Sequence, residues 1–168
     1  MPPVGIASHD IGFGNKQAVR TALIAAGVAS LLMTMPLPLA PFFWILWLLA
    51  AGFVAVYLYH RRTGEPVTLR SGVRLGWLTG LFCYMILLVL MVASAIAVST
   101  NGGMAELWRR QVRDSAQPGM NVEEVLRLLE SPAGLVTVMV FTLVLLFMFL
   151  TAVPMIGGAV GAKVLEKE

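Results

Sequence analysis

Residues 21–59 read TALIAAGVASLLMTMPLPLAPFFWILWLLAAGFVAVYLY and contain no Asp, Glu, Lys, Arg or His. Residues 75–105 and 131–162 also lack these side chains. The three runs are 39, 31 and 32 residues long. Because a bilayer core of about 30 Å takes about 20 apolar residues as a helix, the first run has room for two spans and each of the others for one. The sequence therefore predicts a multi-pass membrane protein.

Composition agrees with this class. Hydrophobic residues make up 58% of the chain and charged residues 12%, with a mean hydropathy of +0.84, whereas a soluble domain carries about 25% charged residues. The 12 bases exceed the 9 acids, but the bases lie beside apolar runs. Lipid headgroups and membrane orientation explain that placement better than nucleic acid does.

The predicted fold is all-α, an integral membrane four-helix bundle with two short amphipathic helices between spans three and four. Prolines break the first run near residues 36–41, because proline lacks a backbone donor. Asn121, followed by Glu124, is placed to cap the second short helix. The predicted segments are a cytoplasmic leader at 1–18, mobile over 1–15; a membrane domain at 19–163, with spans at about 19–35, 41–59, 75–98 and 132–153 and an outer loop at 99–131; and a cytoplasmic tail at 164–168.

Charge gives the orientation. Four spans place both termini on one side, and that side then holds eight of the twelve bases. The positive-inside rule predicts that this side is the cytoplasm, with the loop 99–131 outside. The expected location is a bacterial inner membrane. The eight bases are Lys16, Arg20, Arg61, Arg62, Arg70, Arg74, Lys163 and Lys167.

Small residues repeat every four positions in three places, which predicts close helix packing in lipid. Three interpretations of these ridges are possible: packing within the chain's own bundle, association with another copy or subunit, and pore lining. The ridges are Gly72, Gly76 and Gly80; Ala22, Ala26 and Ser30; and Gly157 with Gly161.

The connector between spans two and three is basic. Arg61, Arg62, Arg70 and Arg74 are expected to hold it in the cytoplasm, or to bind anionic lipid headgroups or a phosphorylated ligand. His60 is expected to be a solvated helix end, with a metal or pigment ligand as the alternative.

The predicted spans lack the ionisable and catalytic side chains that transport or catalysis within a membrane requires. Ion and proton pathways usually contain ionisable side chains within the membrane, and no predicted midplane has one. The spans also lack a Ser/His, paired-Asp or His/Glu constellation. The single Cys83 lies in an apolar run. We expect neither catalysis, nor a metal site, nor a cofactor.

The stretches HRRTG at 60–64 and GVRLGWLTG at 72–80 resemble those of a loose group of uncharacterised bacterial four-span membrane proteins. The resemblance covers all four spans and rests on turn and glycine patterns. Some members of the group carry an N-terminal zinc ribbon, whereas this chain has no cysteines there. The resemblance implies the four-span fold and no particular activity.

The expected function is that of a structural or accessory subunit of a membrane assembly, of which an energy-converting complex is one example. The expected partners are membrane lipids and either further copies or other membrane subunits. The alternative is a small oligomeric channel or transporter that uses backbone carbonyls and Ser or Thr hydroxyls.

The orientation predicts a labelling pattern in intact cells. A cysteine at Ser115 should react with an impermeant thiol reagent added outside, because the loop is predicted to face that side. A cysteine at Thr63 should react only after the cells are opened. The reverse pattern would show that the orientation is inverted.

Overall fold

The computed structural model describes residues 11–34, 42–99, 112–114 and 121–166. Its described residues contain helices and connectors and no strand. The proline break near residues 36–41 and most of the first predicted loop helix lie outside the described residues. The helices are α1 (Lys16–Thr34), α2 (Phe42–Thr63), α3 (Leu69–Ser99), α4 (Val122–Glu130) and α5 (Pro132–Leu165), and residues 112–114 are also helical.

Three helices are long and apolar enough to cross a membrane. The apolar segments are Trp44–Thr63 in α2, Leu69–Ala97 in α3 and Ala133–Leu165 in α5. Among the described residues, α1 is not one of these three. The prediction of an all-helical protein is therefore confirmed for the described residues, together with three helices that are able to span a membrane.

Several helices are longer than the predicted spans because they continue into polar flanks. α3 begins at Leu69 rather than near residue 75, where the Thr68 hydroxyl accepts the Ser71 backbone N–H at 3.3 Å. α2 continues to Thr63, since bases are favourable in the last turn of a helix. Gly64 then ends α2 with a φ of +67°, a conformation that glycine adopts without a Cβ penalty.

The end of the predicted leader is packed rather than mobile. Ile11 is buried in the same apolar cluster as Leu75. The Phe13 ring meets the Trp77 ring edge-on, with centroids 5.9 Å apart. The expectation of a mobile leader therefore does not hold for residues 11–15, because two apolar side chains in this segment find partners on the helices. α1 accordingly begins at Lys16, three residues before the predicted span.

Asn15 ties the start of α1 to the end of α2. Its Oδ1 accepts the backbone N–H groups of Gln17 and Ala18 at 3.0 and 3.2 Å, which caps α1. Its Nδ2 donates to the Tyr59 hydroxyl at 3.2 Å, and that hydroxyl donates to the Glu65 carboxylate at 3.4 Å. The Tyr59 side chain is only 2% exposed, so this polar chain satisfies a buried hydroxyl.

The chain divides into two compact units. The first contains the described residues of 1–86 and 147–168, and so includes α1, α2, the first part of α3 and the last part of α5. Its core is built from alanines and aliphatic side chains around Tyr59.

The second unit contains the described residues of 87–146, which include the last part of α3, α4 and the first part of α5. α5 begins at Pro132, and the Ser131 hydroxyl accepts the Gly134 N–H at 3.0 Å, as expected for a cap followed by proline. Asn121 differs from the expectation. Its side chain donates to the Glu124 carboxylate at 3.4 Å and makes no cap bond to the backbone.

Replacement of Asn15 tests the link between α1 and α2. Asn15→Ala removes a helix cap, which costs about 1 kcal/mol, and also the hydrogen bond to the Tyr59 hydroxyl. We expect a lower melting temperature for the purified protein in detergent. Gln17→Ala is the control, because Gln17 is exposed and contributes its backbone N–H to the cap. Equal melting temperatures for the two variants would contradict this role of Asn15.

Candidate functional site

Two glycines of α3 lie directly against the backbone of α5. A Cβ built on Gly76 would meet the Pro154 carbonyl oxygen and would lie 2.8 Å from the Met155 Cα. A Cβ built on Gly80 would lie 2.8 Å from the Thr151 Cα. Real Cβ atoms essentially never come so close to other atoms, and here the neighbours are backbone atoms that no rotamer change can move. Only glycine fits at these two positions.

Gly72 meets α5 in a reciprocal contact. A Cβ on Gly72 would meet the Gly158 carbonyl oxygen, and a Cβ on Gly158 would meet the Gly72 carbonyl oxygen. Each carbonyl lies where the other glycine has a hydrogen in place of a side chain. This is an arrangement in which weak Cα–H···O contacts form between helices. Ala162 continues the contact one turn further along α5, 2.6 Å from the built Cβ of Gly72.

α2 approaches a neighbouring face of the same α5 segment. A Cβ on Gly52 would meet the Pro154 carbonyl oxygen, which is the group that also faces Gly76. A Cβ on Gly157 would lie 3.0 Å from the Leu49 Cα. The last part of α5 therefore makes backbone contact with both α2 and α3.

The four-residue repeats predicted only part of this contact. Gly161, which belongs to a predicted ridge, lies beside Phe53, with a built Cβ 3.3 Å from the Phe53 Cα. Gly52 and Gly158 also lie in the contact but belong to none of the predicted ridges. The signal for Gly158 was the adjacent pair Gly157–Gly158, because neighbouring helix positions point about 100° apart and serve two partners. Gly52 stands alone in α2 without a four-residue repeat, so no pattern singled it out.

Pro154 lies inside α5, and the helix continues through it. Proline has no backbone N–H, so the Leu150 carbonyl loses its usual donor four residues on. The Leu150 carbonyl oxygen is the atom that a Cβ on Gly80 would meet first. A hydrogen on the Gly80 Cα thus lies next to a carbonyl that the proline leaves without its helical partner.

The small-residue face of α1 is buried. Ala22 and Ala26 are fully buried, and Ser30 is half-buried. α1 packs against α2, and it also reaches α3, because the Cys83 thiol lies 3.9 Å from the Ala26 carbonyl oxygen. This face is wider than the predicted ridge of three and also includes Ala18, Ala25 and Ala29.

Buried hydroxyls are satisfied within their own helices. Thr79 donates to the Leu75 carbonyl at 2.9 Å, and Thr151 donates to the Phe147 carbonyl at 2.7 Å. Thr21 does the same one turn back in α1. No buried side-chain nitrogen or oxygen in the described part of the chain lacks a hydrogen-bond partner. These hydroxyls therefore serve the helices themselves.

The Arg, Lys and His side chains of the three apolar segments lie in the first two turns or the last turn of their helices. Among the described residues, no group of three or more His, Cys, Asp or Glu side chains could hold a metal ion. His60 lies at the end of α2, where its Nδ1 is 2.8 Å from the Glu65 backbone oxygen. Because that oxygen can only accept, the ring is held by an Nδ1–H donor.

The four predicted connector bases are exposed, and they lie on two neighbouring helix ends. Arg61 and Arg62 are in the last turn of α2. Arg70 and Arg74 are in the first two turns of α3, five connector residues further along the chain. The structure thus places them on the surface at one end of the first compact unit.

No family model, curated protein or solved structure matches this chain. The resemblance to four-span bacterial proteins therefore stays a prediction.

Substitution of the glycines tests the contact between α3 and α5. Gly76→Ala should lower the melting temperature, because overpacking against fixed atoms costs about 1–3 kcal/mol. Gly27→Ala is the matched control, since no atom lies within 4 Å of a Cβ built there. Alanine favours a helix interior by about 1 kcal/mol over glycine, so the control should be neutral or stabilising. A melting temperature for Gly76→Ala at or above that of Gly27→Ala would contradict the contact.

Proposed function

We propose that this chain is a non-catalytic multi-pass membrane protein that acts as a structural or accessory subunit of a membrane assembly. The observation that carries the proposal is the exposed apolar surface of α3 and α5, which is longer than a bilayer core. The proposed orientation has four spans, with α1 as the first, and both termini in the cytoplasm of a bacterial inner membrane. The exposed bases at the starts of α1 and α3 support this orientation.

The apolar length of α5 exceeds what a bilayer needs. Residues 132–162 contain no charged side chain and span about 47 Å as a helix. To fit a hydrocarbon core of about 30 Å, this segment would have to tilt by about 50°, beyond the usual range of about 0–40°. α2, with 22 residues, is only about 33 Å long. The apolar part of α5 is therefore longer than a bilayer core and longer than α2, and among the described helices only α3, with 31 residues, is of similar length.

In the described part of the second compact unit, large apolar side chains are exposed on every face of α3 and on one side of α5. Consecutive positions of a helix point about 100° apart, so a run of exposed neighbours covers all its faces. α3 exposes four consecutive large apolar side chains, and α5 exposes two adjacent pairs. They are Val89, Leu90, Met91 and Val92 in α3, and Val140, Phe141, Val144 and Leu145 in α5.

The glycine contacts support assembly through these outer faces rather than through the ridges. Gly72, Gly76 and Gly80 already contact α5 of the same chain, so they are not open to another subunit. Further copies of this chain or other membrane subunits would pack against the exposed segments of α3 and α5. An energy-converting complex is one assembly of this kind.

Purification from the native membrane tests this proposal. Mild detergent should recover the untagged protein at a native mass above that of one chain. Val140→Trp should reduce the recovered assembly, because a large ring there would separate packed helices. Val160→Trp is the control on the same helix, since Val140 and Val160 are similarly exposed, at 55% and 52%. Val160 differs in that it lies in the part of α5 that packs against α2.

Two results would contradict the proposal. One is a monomer in every mild detergent together with wild-type behaviour of the Val140→Trp variant. The other is ion or solute flux through sealed vesicles containing the purified protein, above that of empty vesicles, which would favour the channel or transporter. We expect no such flux, because the buried hydroxyls of Thr79 and Thr151 donate to their own helices.

A further inference from the structure

Four helix ends meet at one end of the first compact unit. The hydrogen bond from Asn15 to Tyr59 joins the start of α1 to the end of α2. The close approach of Gly72 and Ala162 joins the start of α3 to the end of α5. Five connector residues link the end of α2 to the start of α3. The side chains in the end turns of these four helices therefore lie in one region of the surface.

This region, which we call the basic end, is strongly positive. Its described residues include seven bases and two acids, all of them exposed. One of the acids, Glu65, accepts a hydrogen bond from the Tyr59 hydroxyl. The bases are Lys16, Arg20, Arg61, Arg62, Arg70, Arg74 and Lys163, and the second acid is Glu166.

Two of the helix ends add to the positive potential. α1 and α3 both begin at the basic end, and a helix start carries a partial positive charge. Acidic side chains usually offset this charge, but neither first turn has one. Lys16 and Arg70 occupy those turns instead. An external anion would lower the repulsion between these positive charges.

Exposed apolar side chains lie next to these bases along the helices. Tyr57 lies four residues before Arg61, Leu69 directly precedes Arg70, and Val164 follows Lys163; all three apolar side chains are exposed. A ligand with an anionic head and apolar chains can satisfy both kinds of surface. A soluble phosphate can satisfy only the bases.

We propose that the basic end binds the headgroups of anionic phospholipids, with Arg61, Arg62 and Arg70 as main contributors. The headgroup phosphates lie against the bases and the acyl chains against the neighbouring apolar side chains. Basic residues near an anionic surface contribute about 1 kcal/mol each. The proposal does not depend on a partner subunit, so it is independent of the function proposed above.

The test uses the full-length protein in a detergent without net charge. Short-chain phosphatidylglycerol should raise the melting temperature and remain bound in native mass spectrometry. Short-chain phosphatidylcholine and inorganic phosphate should do neither. Each of Arg61→Gln, Arg62→Gln and Arg70→Gln should weaken the apparent affinity for phosphatidylglycerol about five-fold, the equivalent of about 1 kcal/mol.

The control removes the same charge elsewhere. Arg113→Gln and Arg127→Gln change exposed residues in the segment between α3 and α5, and should leave the affinity unchanged. Equal stabilisation by phosphatidylcholine, equal stabilisation by inorganic phosphate, or an equal loss in the control variants would overturn the proposal. If the Arg variants do not fold, the wild-type protein decides. Its stabilisation by phosphatidylglycerol should weaken as salt is raised, and salt-independent stabilisation would overturn the proposal.

Discussion

The first compact unit depends on the backbone-to-backbone approach of α5 to α2 and α3. In lipid the hydrophobic effect does not drive helices together, so packing and weak polar contacts between helices have to do so. Pro154 lies at the centre of this approach, because its carbonyl oxygen faces both Gly52 and Gly76. A side chain at Gly52 would push α2 away from α5, and one at Gly76 would push α3 away from α5. The contact therefore tolerates very little change.

This constraint also bears on where the protein can meet a partner. The glycine faces are used inside the chain, and the alanine face of α1 is buried. The exposed side chains are apolar along the later part of α3 and the earlier part of α5. They are basic at the ends of four helices. The two proposals follow from these two surfaces: apolar partners at the first and anionic headgroups at the second.

The helices themselves could be predicted from the sequence because uncharged length is a direct consequence of the bilayer's thickness. The ridge of Gly72, Gly76 and Gly80 could also be identified, since a four-residue repeat puts glycine on one helix face. The helix that packs against this ridge could not be predicted, because a glycine repeat indicates a close helix contact without identifying the other helix. Gly52 was missed for the same reason, as its importance arises from the Pro154 carbonyl on another helix. Residues 11–15 were assigned to a mobile leader because Ile11 and Phe13 show no periodicity, although both find tertiary contacts.

The distance between the Gly76 Cα and the Pro154 carbonyl carbon tests this packing most directly. Solid-state NMR of the labelled protein in lipid bilayers can measure it once both resonances are assigned. A Cβ built on Gly76 lies 2.8 Å from that carbon, and Cα is one carbon–carbon bond further, so the separation should be at most about 4.5 Å. A strong cross-peak between the two carbons is the predicted result. Its absence, while sequential cross-peaks within α3 and α5 are observed, would contradict the packing of α5 against α3.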